Sequence, residues 1–358
     1  MTSRERWLTV LGGGRVEPPL RWEIHGYEPG CLAAWAGQGL PLDQRPEVFF
    51  GLDLLDLANV YWGPLPTFQT VGLFDPECAG RWHEPVQWPF RPLRREFGSL
   101  LPAGPPARDS LSLYLAQRCY NAHSPARYPL PGSTPVPTER PVALGWPGLS
   151  AWLAEACQPE FLGGELLADE GLWQETTRRF FLFLEVTTRR YLEGGAADLV
   201  LIAENVAVQT QLGSRWARVI PQYAELIGRT REQGLQHFLV PAPVAVEDRR
   251  RWREAGATGF YADGEPLDLA VLRDELGPHV LLAGGLSVQD LLLDYGDLER
   301  RVQAVIAPAA EGPLLVTLER PVSADVPVDH YRAYLNFVER PEWVEHLRRK
   351  RRARSDEQ

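Results

Sequence analysis

The chain has 358 residues, a formal net charge of −10 and an apolar fraction of 44%. This length allows two average domains or one large α/β barrel, and it is ample for a buried core. The negative charge argues against broad binding to nucleic acid or to an acidic membrane surface. Because no segment has the pattern of a signal peptide or a membrane span, we expect a soluble, cytoplasmic protein.

Two residue types exclude further classes of protein. Lys350 is the only lysine, whereas pyridoxal-phosphate enzymes and Schiff-base aldolases need a lysine in their site. The four cysteines form no CxxC pair, which excludes zinc-finger and thioredoxin-type motifs. Positive charge in a site must therefore come from arginine, which suits the bidentate binding of carboxylates, or from histidine.

The first 140 residues are rich in proline, tryptophan and glycine and show little periodicity, which indicates loops, short helices and turns. The glycine-rich segment LGGGR (11–15) follows no predicted strand and begins no predicted helix. It is therefore not interpreted as a phosphate-binding loop.

From about Val142 onwards, apolar runs alternate with helical segments. The predicted strands are 142–146, 198–205, 235–240, 258–264, 279–286, 305–309 and 314–318. Such alternation predicts parallel strands with crossover helices. At least six strands without a GxGxxG turn favour an α/β fold of the (β/α)8 TIM-barrel type over a dinucleotide-binding sheet, so no NAD is expected.

This interpretation divides the chain into three parts. Residues 1–140 would form an N-terminal, loop-rich extension and lid packed on the barrel, and residues 141–345 the main part of the barrel. The basic residues of 346–358 would form a disordered tail, since a charged terminus is usually solvated.

A barrel of this type places its chemistry at the carboxyl ends of its strands. By this rule one rim holds Glu204, Asn205, His237, Asp263, Glu265, Gly284 and Gly285. Glu204 ends an apolar strand, where burial would raise its pKa and suit it to general acid–base catalysis. The alternative is that Glu204 and Asn205 cap the next helix.

Other residues of the predicted rim also have two interpretations. Glu265 either belongs to the site or caps a helix predicted to start at Leu267. The two glycines let the backbone approach either a ligand or a helix. Gln209, with Gln211, either binds a polar substrate or satisfies loop backbone groups.

Arg215 and Arg320 lie near predicted strand ends and are the candidates for binding a substrate carboxylate. His25 lies among Trp22, Glu23 and Tyr27. This aromatic segment suits either a ligand-binding lid or the ordinary packing of a loop-rich region.

Taken in order, several segments resemble the uroporphyrinogen decarboxylase superfamily. Residues 2–23 look like its opening helix and the proline-containing segment after it, and 33–41 with 49–53 are similar to its methyltransferase-like branch. The remaining segments are AENVAVQTQLGS (203–214), GEPLDLAVLRDELGPHVLLAGGLSVQDLL (264–292) and GPLLVTLERPVSADVPVDHYRAYLNFV (312–338). The resemblance covers nearly the whole chain and implies the barrel fold.

The resemblance also implies a branch. The decarboxylase has an arginine-rich N-terminal motif, but RWEIHGYEPG (21–30) stands in its place here, so uroporphyrinogen is not the expected substrate. An acidic residue near Asp53 and Asp56 is functional in that branch. The corrinoid-dependent methyltransferases instead bind zinc through a His-x-Cys pair and a later cysteine, which suits thiol activation.

The zinc motif is matched only in part. His237 stands at the family histidine, but Leu239 and Glu319 stand where cysteines are expected. Either no metal binds, or His237 acts with a harder ligand such as Glu204 or Glu319. The alternative for His237 is a buried core histidine.

The expected function is corrinoid-linked methyl transfer on a small anionic substrate. Glu204 and His237 would handle the proton or metal, Arg320 would hold the anion, and a partner protein would carry the corrinoid. The resemblance also implies a homodimer. Two alternatives are a metal-free decarboxylase or lyase of a small carboxylate, and a non-catalytic barrel that binds a tetrapyrrole or corrinoid.

Overall fold

A computed structural model describes residues 1–41, 44–58, 139–156, 166–194, 197–309 and 311–340. The chain divides into two compact units. The terminal unit comprises Met1–Asp56, Pro137–Pro141 and Thr258–Gln358, and the central unit comprises Leu57–Val136 and Val142–Ala257.

The terminal unit is built from parallel strands and helices. Its strands are β1 (Leu20–Arg21), β6 (Gly259–Tyr261), β7 (Leu281–Ala283) and β8 (Leu314–Val316). Its helices are α1 (Ser3–Leu11), α2 (Pro29–Gly37), α3 (Pro46–Phe49), α9 (Leu269–Leu276), α10 (Tyr295–Ala309) and α11 (Val328–Glu339), with a 3-10 helix at Val288–Leu292. The strands run in the order β1-β8-β7-β6, and every pairing is parallel.

The central unit repeats this organisation. Its strands are β3 (Val142–Pro147), β4 (Leu199–Ala203) and β5 (His237–Pro241), paired in parallel in that order. Its helices are α4 (Leu149–Ala156), α5 (Glu170–Gly194), α6 (Val206–Leu212), α7 (Ser214–Glu232) and α8 (Val246–Ala255). A short strand β2 (Asp56–Ala58) lies where the chain passes between the units.

Apolar runs form the strands because both faces of each strand are covered. All five residues of β4 are buried, as are the three residues of β6, β7 and β8. This burial is typical of parallel sheets with helices packed on them. The prediction of an α/β protein with parallel strands is confirmed.

Two predicted elements are wrong. Residues 305–309 were predicted as a strand but form the end of helix α10. Leu298, Val302, Val305 and Ile306 are buried, and this spacing follows one face of a helix rather than a strand. Helix α9 begins at Leu269, with Asp268 as its N-cap, rather than at Leu267.

The first residues contribute more to the sheet than an extension would. Leu20 and Arg21 pair with Leu315 and Val316, so the N-terminal segment supplies a strand beside the last strand of the chain. Residues 59–138 lie outside the described residues, as does the predicted tail, so the lid and the tail stay predictions. Among the helices of the described ranges, none is both long and apolar enough to cross a bilayer.

Candidate functional site

Glu204 follows strand β4 and is buried in the central unit. One carboxylate oxygen accepts hydrogen bonds from the backbone N–H of Ser150, over 2.9 Å, and from the Ser150 hydroxyl. The other oxygen accepts from the Tyr223 hydroxyl over 2.5 Å. The carboxylate therefore connects the end of β4 to the first turn of α4 and to helix α7.

The directions of these hydrogen bonds are fixed by their neighbours. The backbone N–H of Asn205 donates to Ser150 Oγ (2.8 Å), and that of Leu149 donates to Tyr223 Oη (2.7 Å). Each hydroxyl thus accepts from a backbone group and gives its own hydrogen to Glu204. A carboxylate that is surrounded by donors accepts a hydrogen bond at every contact. Such a buried carboxylate holds neighbouring segments together and is called a structural tie below.

Close packing completes the surroundings of Glu204. A Cβ atom on Gly148 would lie 2.1 Å from Glu204 Cδ and 2.3 Å from the carbonyl oxygen of Ala203, so only glycine fits there. Burial raises the pKa of Glu204 to about 7, and hydrogen bonds from Ser150 and Tyr223 act in the opposite direction.

The terminal unit contains a second buried glutamate with the same kinds of donor. Glu23 accepts from the backbone N–H of Leu318 (3.1 Å), the hydroxyl of Thr317 (3.2 Å) and the hydroxyl of Tyr331 (3.0 Å). The backbone N–H of Ile24 donates to Thr317 Oγ1 (3.1 Å). In both units, therefore, a hydroxyl bridges a glutamate to the peptide N–H that follows it.

Two features distinguish Glu23 from Glu204. Burial raises the pKa of Glu23 to about 7, and the negative charge of Glu319 acts in the same direction. The hydrogen bonds that Glu23 accepts act in the opposite direction. The Tyr331 hydroxyl also lies 3.1 Å from the hydroxyl of Tyr27. Because Tyr331 donates to Glu23, Tyr27 must donate to Tyr331.

Asp263 lies two residues after the end of β6, between two anchored residues of the terminal unit. Ala262 donates to Ala283 O (2.8 Å), and its carbonyl oxygen lies 2.7 Å from His25 Nε2. Gly264 donates to Glu319 O (2.8 Å). A carbonyl can only accept, so His25 carries its hydrogen on Nε2, and burial lowers its pKa to about 4.

Arg320 and Glu319 form an ion pair after strand β8. Glu319 is fully buried, accepts from the backbone N–H of Val288 (2.9 Å) and holds Arg320 Nε at 2.9 Å. The side chain of Arg320 is 53% exposed, so the rest of its guanidinium faces solvent. This geometry leaves terminal N–H donors in a position to meet an anion.

His237 is not where the sequence placed it. It is the first residue of β5 and pairs in register with Leu199, the first residue of β4, whereas Glu204 follows the carboxyl end of β4. At about 3.3 Å per residue, the two side chains lie on the order of 16 Å apart along the sheet. Burial, followed by the charge of Arg231, lowers the pKa of His237.

Several predicted binding residues have structural partners. Arg215 lies 2.8 Å from Glu170, donates to the carbonyl oxygen of Leu167 and lies over the ring of Trp173. Asn205 is the N-cap of α6 and accepts from the N–H of Val208, as the capping alternative predicted. These contacts account for both side chains without a ligand.

The glycine pair is also explained by packing. A Cβ on Gly284 would lie 2.6 Å from Ala262 Cβ, and one on Gly285 would lie 2.7 Å from Val305 and 2.8 Å from Leu269. The close approach is therefore to protein atoms. Gln209 lies half-buried on α6 and Glu265 is exposed, and their predicted roles stay predictions.

The acidic residues near the N-terminus have internal partners too. Asp53 holds Arg6 Nε at 2.6 Å and accepts from the backbone N–H of Arg21, and Asp56 lies 3.6 Å from Arg140.

The thiolate zinc site of the methyltransferase branch does not fit these residues. Leu239, at the position of a family cysteine, is fully buried in β5, and the carboxylate of Glu319 is occupied by Val288 and Arg320. Within the described ranges, no group of three or more His, Cys, Asp or Glu side chains is arranged to hold a metal ion. No catalytic step through zinc follows from this arrangement.

Comparison with known proteins identifies the fold. A methyltransferase from Methanosarcina mazei is similar in structure, with a TM-score of 0.55, 12% sequence identity and coverage of 95% of this chain and 98% of that chain. A B12-independent methionine synthase from Shewanella sp. W3-18-1 matches with 12% identity over 60% of this chain and 64% of that chain. Its TM-score of 0.35 is too low to support an argument. No protein-family model and no curated protein sequence matches the chain.

At such low identity, the likeness establishes the fold and not the activity. The chain shares the fold of that methyltransferase. The partners of the two buried glutamates were not found from the sequence. Ser150 and Tyr223 lie 54 and 19 residues from Glu204, and no local pattern signals such distant hydroxyl donors.

Proposed function

We propose that this protein is an enzyme that transfers a methyl group between a small anionic substrate and a corrinoid carried by a partner protein. The observation that carries the proposal is the likeness, over 95% of the chain, to a solved methyltransferase. As part of the proposal, the strands close into a complete (β/α)8 barrel, with the chemistry at their carboxyl ends.

Arg320 supports the choice of an anionic substrate. Its Nε is held by a fully buried carboxylate, while half of the side chain is exposed. A guanidinium that is fixed at one atom and open at the others loses little freedom when it binds a carboxylate, so it is suited to recognition.

The test is a methyl-transfer assay on the purified protein. Free cob(I)alamin is mixed with small anionic methyl donors, namely methoxyacetate, (methylthio)acetate and N-methylglycine, and the conversion to methylcobalamin is followed by absorbance. We expect turnover with at least one donor, and a KM raised about tenfold in Arg320→Gln. Arg300→Gln, at an exposed arginine paired only within its own helix, serves as the matched control.

Two outcomes would contradict methyl transfer. Release of carbon dioxide from a small carboxylate, without any change in the corrinoid, would support the metal-free decarboxylase alternative, which the misfit of the zinc site favours. A spectral shift of added cobalamin without turnover of any donor would instead support a non-catalytic, corrinoid-binding barrel.

A further inference from the structure

An open cleft of about 470 Å³ lies in the terminal unit, and residues of that unit alone form its walls. A cleft of this size is within the range that holds small-molecule ligands. Polar side chains make up much of its lining, namely those of Ser3, Arg6, Arg21, Asp53 and Glu339.

Two arginines of this lining are nearly buried. The side chain of Arg6 is 15% exposed and that of Arg21 is 10% exposed. A guanidinium stays charged at neutral pH, and its burial is costly unless acceptors surround it. The contacts of the two arginines therefore show how far the protein itself supplies these acceptors.

Arg6 is held along one edge of its guanidinium. Nε and Nη2 contact the two carboxylate oxygens of Asp53 over 2.6 and 3.4 Å, and Nη2 also donates to the carbonyl oxygen of Pro18 over 2.7 Å. Within the described part of the chain, none of these contacts involves Nη1. Arg6 is thus fixed at two nitrogens and has a third available as a donor.

Arg21 is satisfied only in part. Nη2 donates to the carbonyl oxygen of Gly51 over 3.0 Å, and Nη1 forms an ion pair with Glu339. Nε is buried and makes no hydrogen bond to any described residue. A buried donor without an acceptor is unfavourable, so the pairing with Glu339 does not make full use of this guanidinium.

The two carboxylates of the cleft differ in how firmly they are held. Asp53 is buried and accepts from the backbone N–H of Arg21 as well as from Arg6. Glu339 is the last residue of α11, and its side chain is 48% exposed. Because an ion pair with so exposed a partner contributes little, Glu339 can turn into solvent at small cost.

We propose that this cleft binds the phosphate group of a small phosphorylated molecule, which displaces Glu339 from Arg21 and bridges Arg21 to Nη1 of Arg6. A phosphate group has more acceptor oxygens than a carboxylate, so one anion can serve two guanidinium groups. The hydroxyl of Ser3 adds a further donor to the same lining. The volume of the cleft exceeds that of the anion and leaves room for the rest of the molecule.

This site is separate from the predicted rim. Arg6 contacts the carbonyl oxygens of Pro18 and Pro19, which precede strand β1. Arg320 instead follows the carboxyl end of β8, the parallel neighbour of β1. The cleft therefore lies towards the amino end of β1, and the proposal does not depend on methyl transfer.

The test is calorimetry of the purified protein with inorganic phosphate, glycerol 3-phosphate and acetate. Glycerol 3-phosphate should bind at least as tightly as inorganic phosphate, and acetate should bind about tenfold more weakly than either. Binding of inorganic phosphate without binding of glycerol 3-phosphate would contradict a phosphorylated molecule as the ligand. Acetate that binds as tightly as phosphate would contradict the choice of a phosphate group.

Variants at the two ends of the displaced ion pair should change the affinity in opposite directions. Arg21→Gln should weaken the binding of glycerol 3-phosphate about tenfold or more. Glu339→Gln removes the competing carboxylate and should strengthen it about fivefold. Glu299→Gln is the matched control, because Glu299 pairs with Arg340 outside the cleft, and it should leave the affinity unchanged.

Glu339→Gln keeps the proposal testable if Arg21→Gln fails to fold, since it changes a half-exposed side chain at a helix end. Thermal unfolding checks that this variant is folded. An affinity for glycerol 3-phosphate that is unchanged or lower in Glu339→Gln would overturn the displacement of Glu339. No binding of either phosphate compound to the wild type, or equal binding to folded Arg21→Gln, would overturn the site.

Discussion

Glu204 in the central unit and Glu23 in the terminal unit solve the same structural problem in the same way. Each follows a strand and accepts from a backbone N–H, from a Ser or Thr hydroxyl and from a tyrosine hydroxyl. The Ser or Thr hydroxyl in each case also accepts a hydrogen bond from the peptide N–H of the residue after the glutamate. Neither glutamate therefore needs a ligand to account for its burial.

The two glutamates differ in the residues that surround them. Glu204 is enclosed by Gly148 and a helix N-terminus, whereas Glu23 shares its surroundings with Glu319, which in turn orients the exposed Arg320. Asp263, also in the terminal unit, is exposed. A raised carboxyl pKa alone thus does not distinguish an acid available for catalysis from a structural one, whereas the donors around it do.

The largest effect is expected from a steric clash with the buried Glu204 in the central unit. Gly148→Ala would force a methyl group to within 2.1 Å of Glu204 Cδ, and it should lower the free energy of unfolding by about 3 kcal/mol or more. Gly228→Ala is the control, because its added Cβ meets nothing within 4 Å and removes a glycine from helix α7. That variant should be stabilised by about 0.5–1 kcal/mol. Chemical denaturation measures both, and equal stability of the two variants would contradict the enclosed site.

The free energy of unfolding should depend on pH because Glu23 and Glu204 both titrate at a higher pH in the folded protein. The pKa of Glu23 and that of Glu204 rise from 4.5 to about 7 on folding. The folded state then holds each proton more tightly than the unfolded chain. The free energy of unfolding is therefore highest below pH 4.5 and decreases as the pH rises through about 7, by about 3 kcal/mol for each group. Denaturant titrations at intervals across this window measure the slope.

Glu23→Gln and Glu204→Gln should each remove about half of that slope. A slope that stays the same in both variants would assign the titration to other groups.

The tyrosine donors sharpen the comparison. Tyr223→Phe leaves one Glu204 oxygen and the buried N–H of Leu149 without their partner, and should cost about 2–3 kcal/mol. Tyr331→Phe leaves Glu23 with two other donors, and only the half-buried Tyr27 hydroxyl loses its partner. The free energy of unfolding should therefore fall by about 1–2 kcal/mol. Thermal unfolding of the two variants under one condition gives the order, and the reverse order would contradict the contrast between the units.

The smallest effect concerns the helix caps after the strands. Asn205→Ala removes the side-chain cap of α6, and Asp268→Ala removes that of α9. Each should cost about 1 kcal/mol because a single cap is lost. A loss several times larger in Asn205→Ala, measured by denaturant titration, would show that Asn205 also supports the Glu204 tie.

Much of the fold could be predicted from the sequence because its apolar runs and helix signals are local. Strands 142–146 and 314–318 and the helix Leu149–Ala156 were found close to their observed bounds. Strand β1 was missed because two residues carry no periodic signal. His237 was predicted at the carboxyl-end rim, whereas it is the first residue of β5 and lies at the opposite end of the sheet.

The candidate site was less predictable, since it depends on contacts between distant segments. The sequence could show that Glu204 ends a buried strand, but not that Ser150 and Tyr223 occupy its oxygens. It could name Arg320 as an anion-binding residue but not its ion pair with Glu319, and the anion-binding role stays a prediction.

The most direct test of the comparison between the two buried glutamates is a carboxyl-carbon NMR titration of isotope-labelled protein, with and without methoxyacetate. Single variants at Glu23 and Glu204 assign the two signals. Because both glutamates are held by internal donors, we expect the pKa of each to be about 7 and to stay unchanged by methoxyacetate. A pKa of Glu204 that responds to methoxyacetate would contradict the structural role and restore Glu204 as the acid of the site.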